Sequence, residues 1–159
     1  MIFPVAEKFV SINGESIRAG EPAVFIRFRG CNLSCSYCDT KWAGTQECPA
    51  EMLTTDQLVS YVTETGITNV TLTGGEPLLQ DDLYELIEEL KKINCIVEIE
   101  TNGSISIADL SQKTYRPAFT LDYKCPSSGM ESAMLTDNYN YLQECDAVKF
   151  VSGTEEDLK

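Results

Sequence analysis

The chain has 159 residues, 43% of them hydrophobic, and no run of about 18 apolar residues, so it can bury one core and is neither a disordered polymer nor a membrane-spanning helix. Twelve basic residues against 25 acidic ones give a net charge of −13, which excludes a sequence-independent grip on nucleic acid through clustered Lys and Arg. Seven cysteines, an odd number with three crowded into one stretch, do not form a secreted disulfide framework and fit a reducing cytoplasm; the opening Met1–Lys8 lacks a basic leader followed by a long apolar core.

In chain order, Lys8 to Ile12 predicts a short strand, followed by a turn at Asn13-Gly14-Glu15-Ser16 and a second strand at Ala23–Phe28. The loop after it carries Cys31, Cys35 and Cys38. Beyond Trp42, Thr54 and Thr55 open a helix whose stripe is Leu58, Val59 and Val62 and whose stop is Gly66. Val70–Thr73 predicts a strand running into Gly74-Gly75-Glu76-Pro77. Asp81 opens the clearest helix, with Leu83, Leu86, Ile87 and Leu90 on one face and Lys91-Lys92 at its end. A strand at Ile96–Thr101 ends in Asn102-Gly103, a further βα step leads to a strand at Phe119–Asp122, and a weaker helix around Tyr139–Cys145 precedes a strand at Ala147–Val151. Thr154–Lys159 reads as a capped helix start at which the sequence stops. There is no repeat, low-complexity tract or linker, so residues 1–159 are read as one domain. The alternation predicts an α/β fold with a mostly parallel sheet and right-handed crossovers. In barrels of this kind chemistry gathers at the C-terminal strand ends, and the cysteine loop, the Gly-Gly turn, Asn102 and Lys124 all fall there.

Three thiolates in a C-x3-C-x2-C array point to a metal centre. A 4Fe–4S cluster held by three cysteines keeps one iron free for a ligand. Structural zinc is the alternative: it needs four ligands, and with no histidine in the chain the fourth would be Cys48. Cys48, Cys95, Cys125 and Cys145 match no ligand pattern, and buried free thiols account for most of them. No Ser-His or Cys-His nucleophile is available.

The array, with Tyr37 just before its third cysteine, and the later Thr71-Leu72-Thr73-Gly74-Gly75-Glu76-Pro77 together resemble the radical S-adenosylmethionine (SAM) enzymes. The resemblance implies an incomplete (β/α)6 barrel, here shortened at the C-terminus, so that the chain reads as a fragment or a shortened variant. It implies a 4Fe–4S cluster on Cys31, Cys35 and Cys38 that binds SAM and cleaves it to a 5'-deoxyadenosyl radical. By motif position, Tyr37, Asp39, Gly75, Glu76, Asp122, Tyr123 and Lys124 are the SAM contacts, with Glu76 accepting from the SAM ammonium.

Within that superfamily, Phe9–Ser16, Arg27-Phe28-Arg29-Gly30-Cys31 and Leu121–Met130 resemble the 7-carboxy-7-deazaguanine synthases. That resemblance implies a ring contraction of 6-carboxy-5,6,7,8-tetrahydropterin to 7-carboxy-7-deazaguanine with loss of ammonia, on the route to queuosine, with SAM regenerated and Mg2+ required. It assigns the substrate carboxylate to Arg27, the pterin to Ile12, Asn13 and Gly14, its ring N–H donors to Glu15, a further substrate contact to Thr73, and Mg2+ to Thr40. It also implies a flavodoxin or ferredoxin as electron donor and a homodimer. The turn departs from the family in carrying Asn13 and Ser16 where many members have Gln and Gly. Two rivals remain open to the sequence: a radical SAM activator of a glycyl radical protein, and a non-catalytic metal-binding module built on Cys31, Cys35, Cys38 and Cys48.

Overall fold

The computed structural model describes residues 1–159. Seven strands, β1 (Ile2–Ile12), β2 (Pro22–Phe28), β3 (Glu51–Thr54), β4 (Asn69–Gly74), β5 (Ile96–Thr101), β6 (Ala118–Lys124) and β7 (Ala147–Val151), form one sheet in the order β3-β1-β2-β4-β5-β6-β7. From β2 to β7 every pairing is parallel, whereas β1 runs antiparallel to both β2 and β3. The sheet curls into an incomplete barrel, so that Lys149 on β7 meets Glu15 in the β1–β2 connection, Nζ to Oε2 2.6 Å.

Side chains along a strand alternate between the two faces of the sheet. Val24, Ile26, Phe28, Val70, Leu72, Val97, Ile99, Phe119 and Leu121 take one face and join a core of 20 buried residues. Beyond the one-turn α1 (Lys41–Gly44), helices α2 (Thr55–Thr65) and α3 (Leu83–Lys92) cover it, α2 with Leu58 and Val62, α3 with Leu83, Leu86, Ile87 and Leu90. Truncating one of these buried leucines to alanine costs about 2–5 kcal/mol. The intervening residues, among them Arg27, Thr71, Thr73, Glu98, Glu100, Thr120 and Asp122, take the other face. That face is polar and forms the inside of the barrel.

Local signals set the helix ends. Thr54 and Gln57 form a reciprocal capping box, with Gln57 N donating to Thr54 Oγ1 at 3.2 Å and Thr54 N to Gln57 Oε1 at 2.8 Å, and Gly66 ends α2 in the left-handed region. Helix α3 starts at Leu83, two residues later than expected, because Asp82 takes a positive φ of 58° and offers no side-chain cap. No helix in the chain is long and apolar enough to cross a membrane.

Four expectations change. Strand β1 begins at Ile2 rather than Lys8, since its first half pairs with β3, a strand within what reads as loop. A bulge between Val5 and Glu7 lets one strand serve both neighbours. The step between β5 and β6 holds only the four-residue helix Ala108–Ser111. Tyr139–Cys145 is not an α-helix; a 3-10 segment at Thr136–Tyr141 replaces it. The wholly buried Asn138 anchors that segment, accepting from Ile107 N at 3.0 Å and donating to Ile105 O at 2.8 Å, which ties it to the loop after β5.

Candidate active site

A cavity of about 820 Å³ opens at the C-terminal ends of the parallel strands. Cys31, Cys35 and Cys38 border it together, all as free thiols. The loop that carries them is stitched down on both sides. Gly30 N donates to Ala43 O at 2.8 Å and Glu76 N to Gly30 O at 2.9 Å, while Ser36 N reaches Ser128 O at 3.0 Å. Tyr37, also on the cavity, donates its hydroxyl to Val151 O at 2.6 Å.

The Gly74-Gly75 turn lies directly against this loop. A Cβ on Gly75 would overlap the Gly30 carbonyl and come within 2.7 Å of Cys31 Cβ, and Gly74 takes a positive φ of 148° beside Phe28. Only glycine lets the two backbones approach this closely. Three free thiols on a fixed loop, facing open volume and pressed against an exposed backbone turn, fit a cysteine-ligated cluster with room for a ligand beside it. Cys48 does not complete a zinc site. It is buried, donates to Pro49 O at 3.3 Å and does not border the cavity.

Burial pushes the Cys31 thiol up, opposed by the N–H groups of Leu33 and Asn102; burial also pushes Cys35 up, opposed by the Lys124 ammonium. Arg27 reaches the cavity from β2. Its Nε donates to Glu7 Oε1 at 2.7 Å, and neither Nη atom has a protein partner. The ion pair and an open binding edge therefore coexist on one guanidinium. Thr40 and Asp39 border the cavity side by side, Thr40 Oγ1 donating to Asp39 Oδ1 at 3.3 Å.

On the far wall, Asp122 accepts from Lys124 Nζ at 2.5 Å and from Lys149 Nζ at 3.0 Å, and Lys149 also pairs with Glu15. Burial works against the charge on Lys149, but Asp122 and Glu15 outweigh it and hold the ammonium above the ordinary lysine range. Glu100 faces the same cavity from β5, its carboxyl pushed up by burial with the Thr73 hydroxyl opposing. Neither Glu100 nor Lys149 stands out as a motif. For Glu100 the usable signal is alternation, since Glu98 and Glu100 at every second position of an otherwise apolar strand mark a polar barrel interior; Lys149 is the single charge of β7 and carries no such signal.

Five expected contacts lie elsewhere. Glu76 is wholly buried beneath the cavity wall: Oε1 accepts from Leu78 N at 2.9 Å and Thr101 Oγ1 at 2.8 Å, and Oε2 from Asn102 N at 2.7 Å. It clamps the β4 turn to the end of β5, with three of its four acceptor positions taken by protein donors and the side chain wholly buried; burial raises its carboxyl to about 7 against these three donors. Tyr123 turns away, its hydroxyl donating to Glu131 at 2.8 Å and its ring lying 5.5 Å from that of Phe150. Ile12, Asn13 and Gly14 do not border the cavity either. Asn13 is buried, its Nδ2 donating to Glu98 Oε2 at 3.1 Å, and its Oδ1 accepts from Glu15 N at 3.2 Å. It acts as the anchor of the turn that presents Glu15.

The Radical SAM superfamily profile matches residues 25–116. Over its full length the chain is 51% identical to 7-carboxy-7-deazaguanine synthase of Clostridium acetobutylicum, spanning 72% of that relative. Over 98% of its length it is 43% identical to the enzyme of that name from Methanospirillum hungatei, spanning 63% of it. The crystal structure of QueE from Escherichia coli covers 99% of the chain with a TM-score of 0.76 at 24% identity, 75% of that structure being matched, and it carries the fold alone. The glycyl radical activator and the isolated metal module have no counterpart among these relatives. The paired signatures, the three thiols on one rim and the full-length identity lead to one conclusion: the chain is a radical SAM enzyme and belongs to the 7-carboxy-7-deazaguanine synthase family.

Proposed function

We propose that the chain performs the radical ring contraction of 6-carboxy-5,6,7,8-tetrahydropterin to 7-carboxy-7-deazaguanine with release of ammonia. The observation that carries this reading is the open Nη edge of Arg27 in the same cavity as Cys31, Cys35 and Cys38. A planar fork with two free donors suits a carboxylate held in a bidentate fashion, and Glu7 fixes the fork from behind. Glu15 and Glu100 offer acceptors for the ring N–H groups, and Thr73 stands between Arg27 on β2 and Glu100 on β5.

Cys31, Cys35 and Cys38 would hold the 4Fe–4S cluster, with Tyr37, Asp39, Gly75, Asp122 and Lys124 around the SAM bound to it. Together the cluster and SAM would supply a one-electron reduction that yields a carbon radical able to remove a hydrogen atom from the substrate. Thr40, with the Asp39 carboxylate beside it, provides hard oxygen donors suited to Mg2+. The contribution of the chain is to orient the substrate, with Glu15, Glu100 and Lys149 as cavity groups able to hold or move a proton beside it. The same reading places the protein in the cytoplasm as a homodimer served by a flavodoxin or ferredoxin.

Arg27→Ala tests the assignment. Glu7 is 40% exposed and stays solvated without its partner, so the change reads on the substrate. Loss of a charged hydrogen-bond pair to the carboxylate corresponds to about 2 kcal/mol, a fall in kcat/KM of roughly 30-fold. An unchanged kcat/KM would refute the role of Arg27.

A further inference from the structure

Asn102 stands where the end of β5 meets the cysteine loop, and its backbone N–H and both ends of its side-chain amide are engaged. Its backbone N–H is held by Glu76 Oε2 at 2.7 Å. Its side-chain oxygen accepts from Ser104 N at 2.9 Å and from the Ser104 hydroxyl at 2.6 Å. The amide nitrogen is thereby turned the other way, donating to Asn32 Oδ1 at 3.0 Å and to Cys31 Sγ at 3.8 Å. A flipped amide would set its N–H groups against the Ser104 N–H, so the arrangement fixes which end faces the sulfur. Among the three thiols on the cavity, Cys31 alone accepts from a side-chain amide, and it also takes the Leu33 N–H at 3.4 Å.

We propose that Asn102 sets the reduction potential of the 4Fe–4S cluster by donating an N–H···S hydrogen bond to the Cys31 thiolate. Adding one electron to a cluster places more negative charge on its cysteine sulfurs, so a donor aimed at one of them stabilises the reduced state more than the oxidised state. The cavity carries as many basic as acidic side chains, and Asp122 is paired with Lys124 and Lys149, so a donor aimed at one sulfur acts without a net opposing field. Asn102 is a positioning residue held by Glu76 and Ser104, and its effect reaches the substrate only through the cluster. The inference rests on the cluster part of the function proposed above and is independent of the pterin.

The test is an anaerobic redox titration of the reconstituted chain without SAM, followed by electron paramagnetic resonance, for the parent and Asn102→Ala. At equal iron and sulfide content, the ratio of reduced to oxidised cluster at a fixed potential is expected to fall on the order of tenfold, a midpoint about 59 mV lower for a one-electron couple. An unchanged midpoint overturns the proposal. If Asn102→Ala holds less iron, the parent itself carries the test: with 15N in its asparagine side chains, the reduced cluster is expected to show a 15N coupling, and its absence overturns the proposal. Asn32→Ala, which leaves the Asn102 amide in place, is expected to keep that coupling; its loss there would assign the bond to Asn32 and overturn the proposal. A parent that assembles no cluster overturns this inference and the reading beneath it, whereas a cluster indifferent to Asn102 overturns this inference alone.

Discussion

Replacing Glu76 by glutamine separates a structural clamp from a ligand contact. The carboxylate satisfies three buried donors, two on Oε1 and one on Oε2. Glutamine has nearly the same shape but only one acceptor oxygen. With that oxygen facing Leu78 and Thr101, the amide nitrogen confronts the Asn102 N–H, whereas the hydroxyl oxygen of the protonated carboxyl present at pH 5 still accepts it, so the orphaned donor costs about 1–3 kcal/mol relative to that form. A second effect runs against the parent. Its folded carboxyl lies at about 7 against an ordinary 4.5, so between these values the native state binds more protons than the unfolded one. The stability associated with that proton is present below the unfolded value and lost as pH rises through 7, a loss on the order of 2 kcal/mol between pH 5 and pH 8. Glutamine does not titrate. Glu76→Gln is therefore expected to be about 2 kcal/mol less stable than the parent at pH 5 and to draw level near pH 8. Urea denaturation of the cluster-free chain, followed by far-UV circular dichroism, measures both. Parallel pH profiles for the two proteins would refute the reasoning.

The loop contacts give further tests. Gly75→Ala places a methyl group within 2.7 Å of Cys31 Cβ and against the Gly30 carbonyl, so the loop must shift; the expected cost is about 1–3 kcal/mol, with less iron and sulfide bound per chain after reconstitution. Cys48→Ser is expected to bind a full cluster, because Cys48 lies off the cavity, whereas Cys35→Ala is expected to bind none; iron and zinc analysis of both checks this. Asp146, nearly inaccessible, holds both Nη atoms of Arg116 and the N–H groups of Phe119 and Gln143, so Asp146→Asn is expected to cost about 3 kcal/mol and lower the melting temperature.

What was legible in the sequence follows the range of the forces involved. Helix α2 ends where Thr54 and Gly66 place it, and Ile96–Thr101 and Ala147–Val151 are strands over the residues expected, because caps and apolar runs act within a few positions. The partners of the misplaced groups are distant in sequence. Strand β3 exists because the first half of β1 pairs with it, Ile2 opposite Thr54, and nothing within Glu51–Thr54 announces that pairing. Glu76 reads as a ligand contact in its motif, yet it is claimed by Thr101 and Asn102, some 25 residues on. Asn13 is claimed by Glu98 across the barrel, which leaves Glu15 to face the cavity. Motif spacing placed the three cysteines, the Gly-Gly turn, Asn102 and Lys124 on one rim, since strand ends dictate that placement. Glu98 and Glu100 stand at alternate positions of β5, whereas Lys149 is the single charge of β7, and its pairing with Glu15 depends on the curl of the sheet.

The central claim is tested most directly by mass spectrometry of 6-carboxy-5,6,7,8-tetrahydropterin incubated anaerobically with the reconstituted chain, SAM, Mg2+ and a one-electron reductant. The expected result is a product lacking the elements of ammonia, formed over many turnovers per SAM consumed. Formation of 5'-deoxyadenosine with the pterin intact would contradict the proposed substrate while leaving the radical chemistry in place.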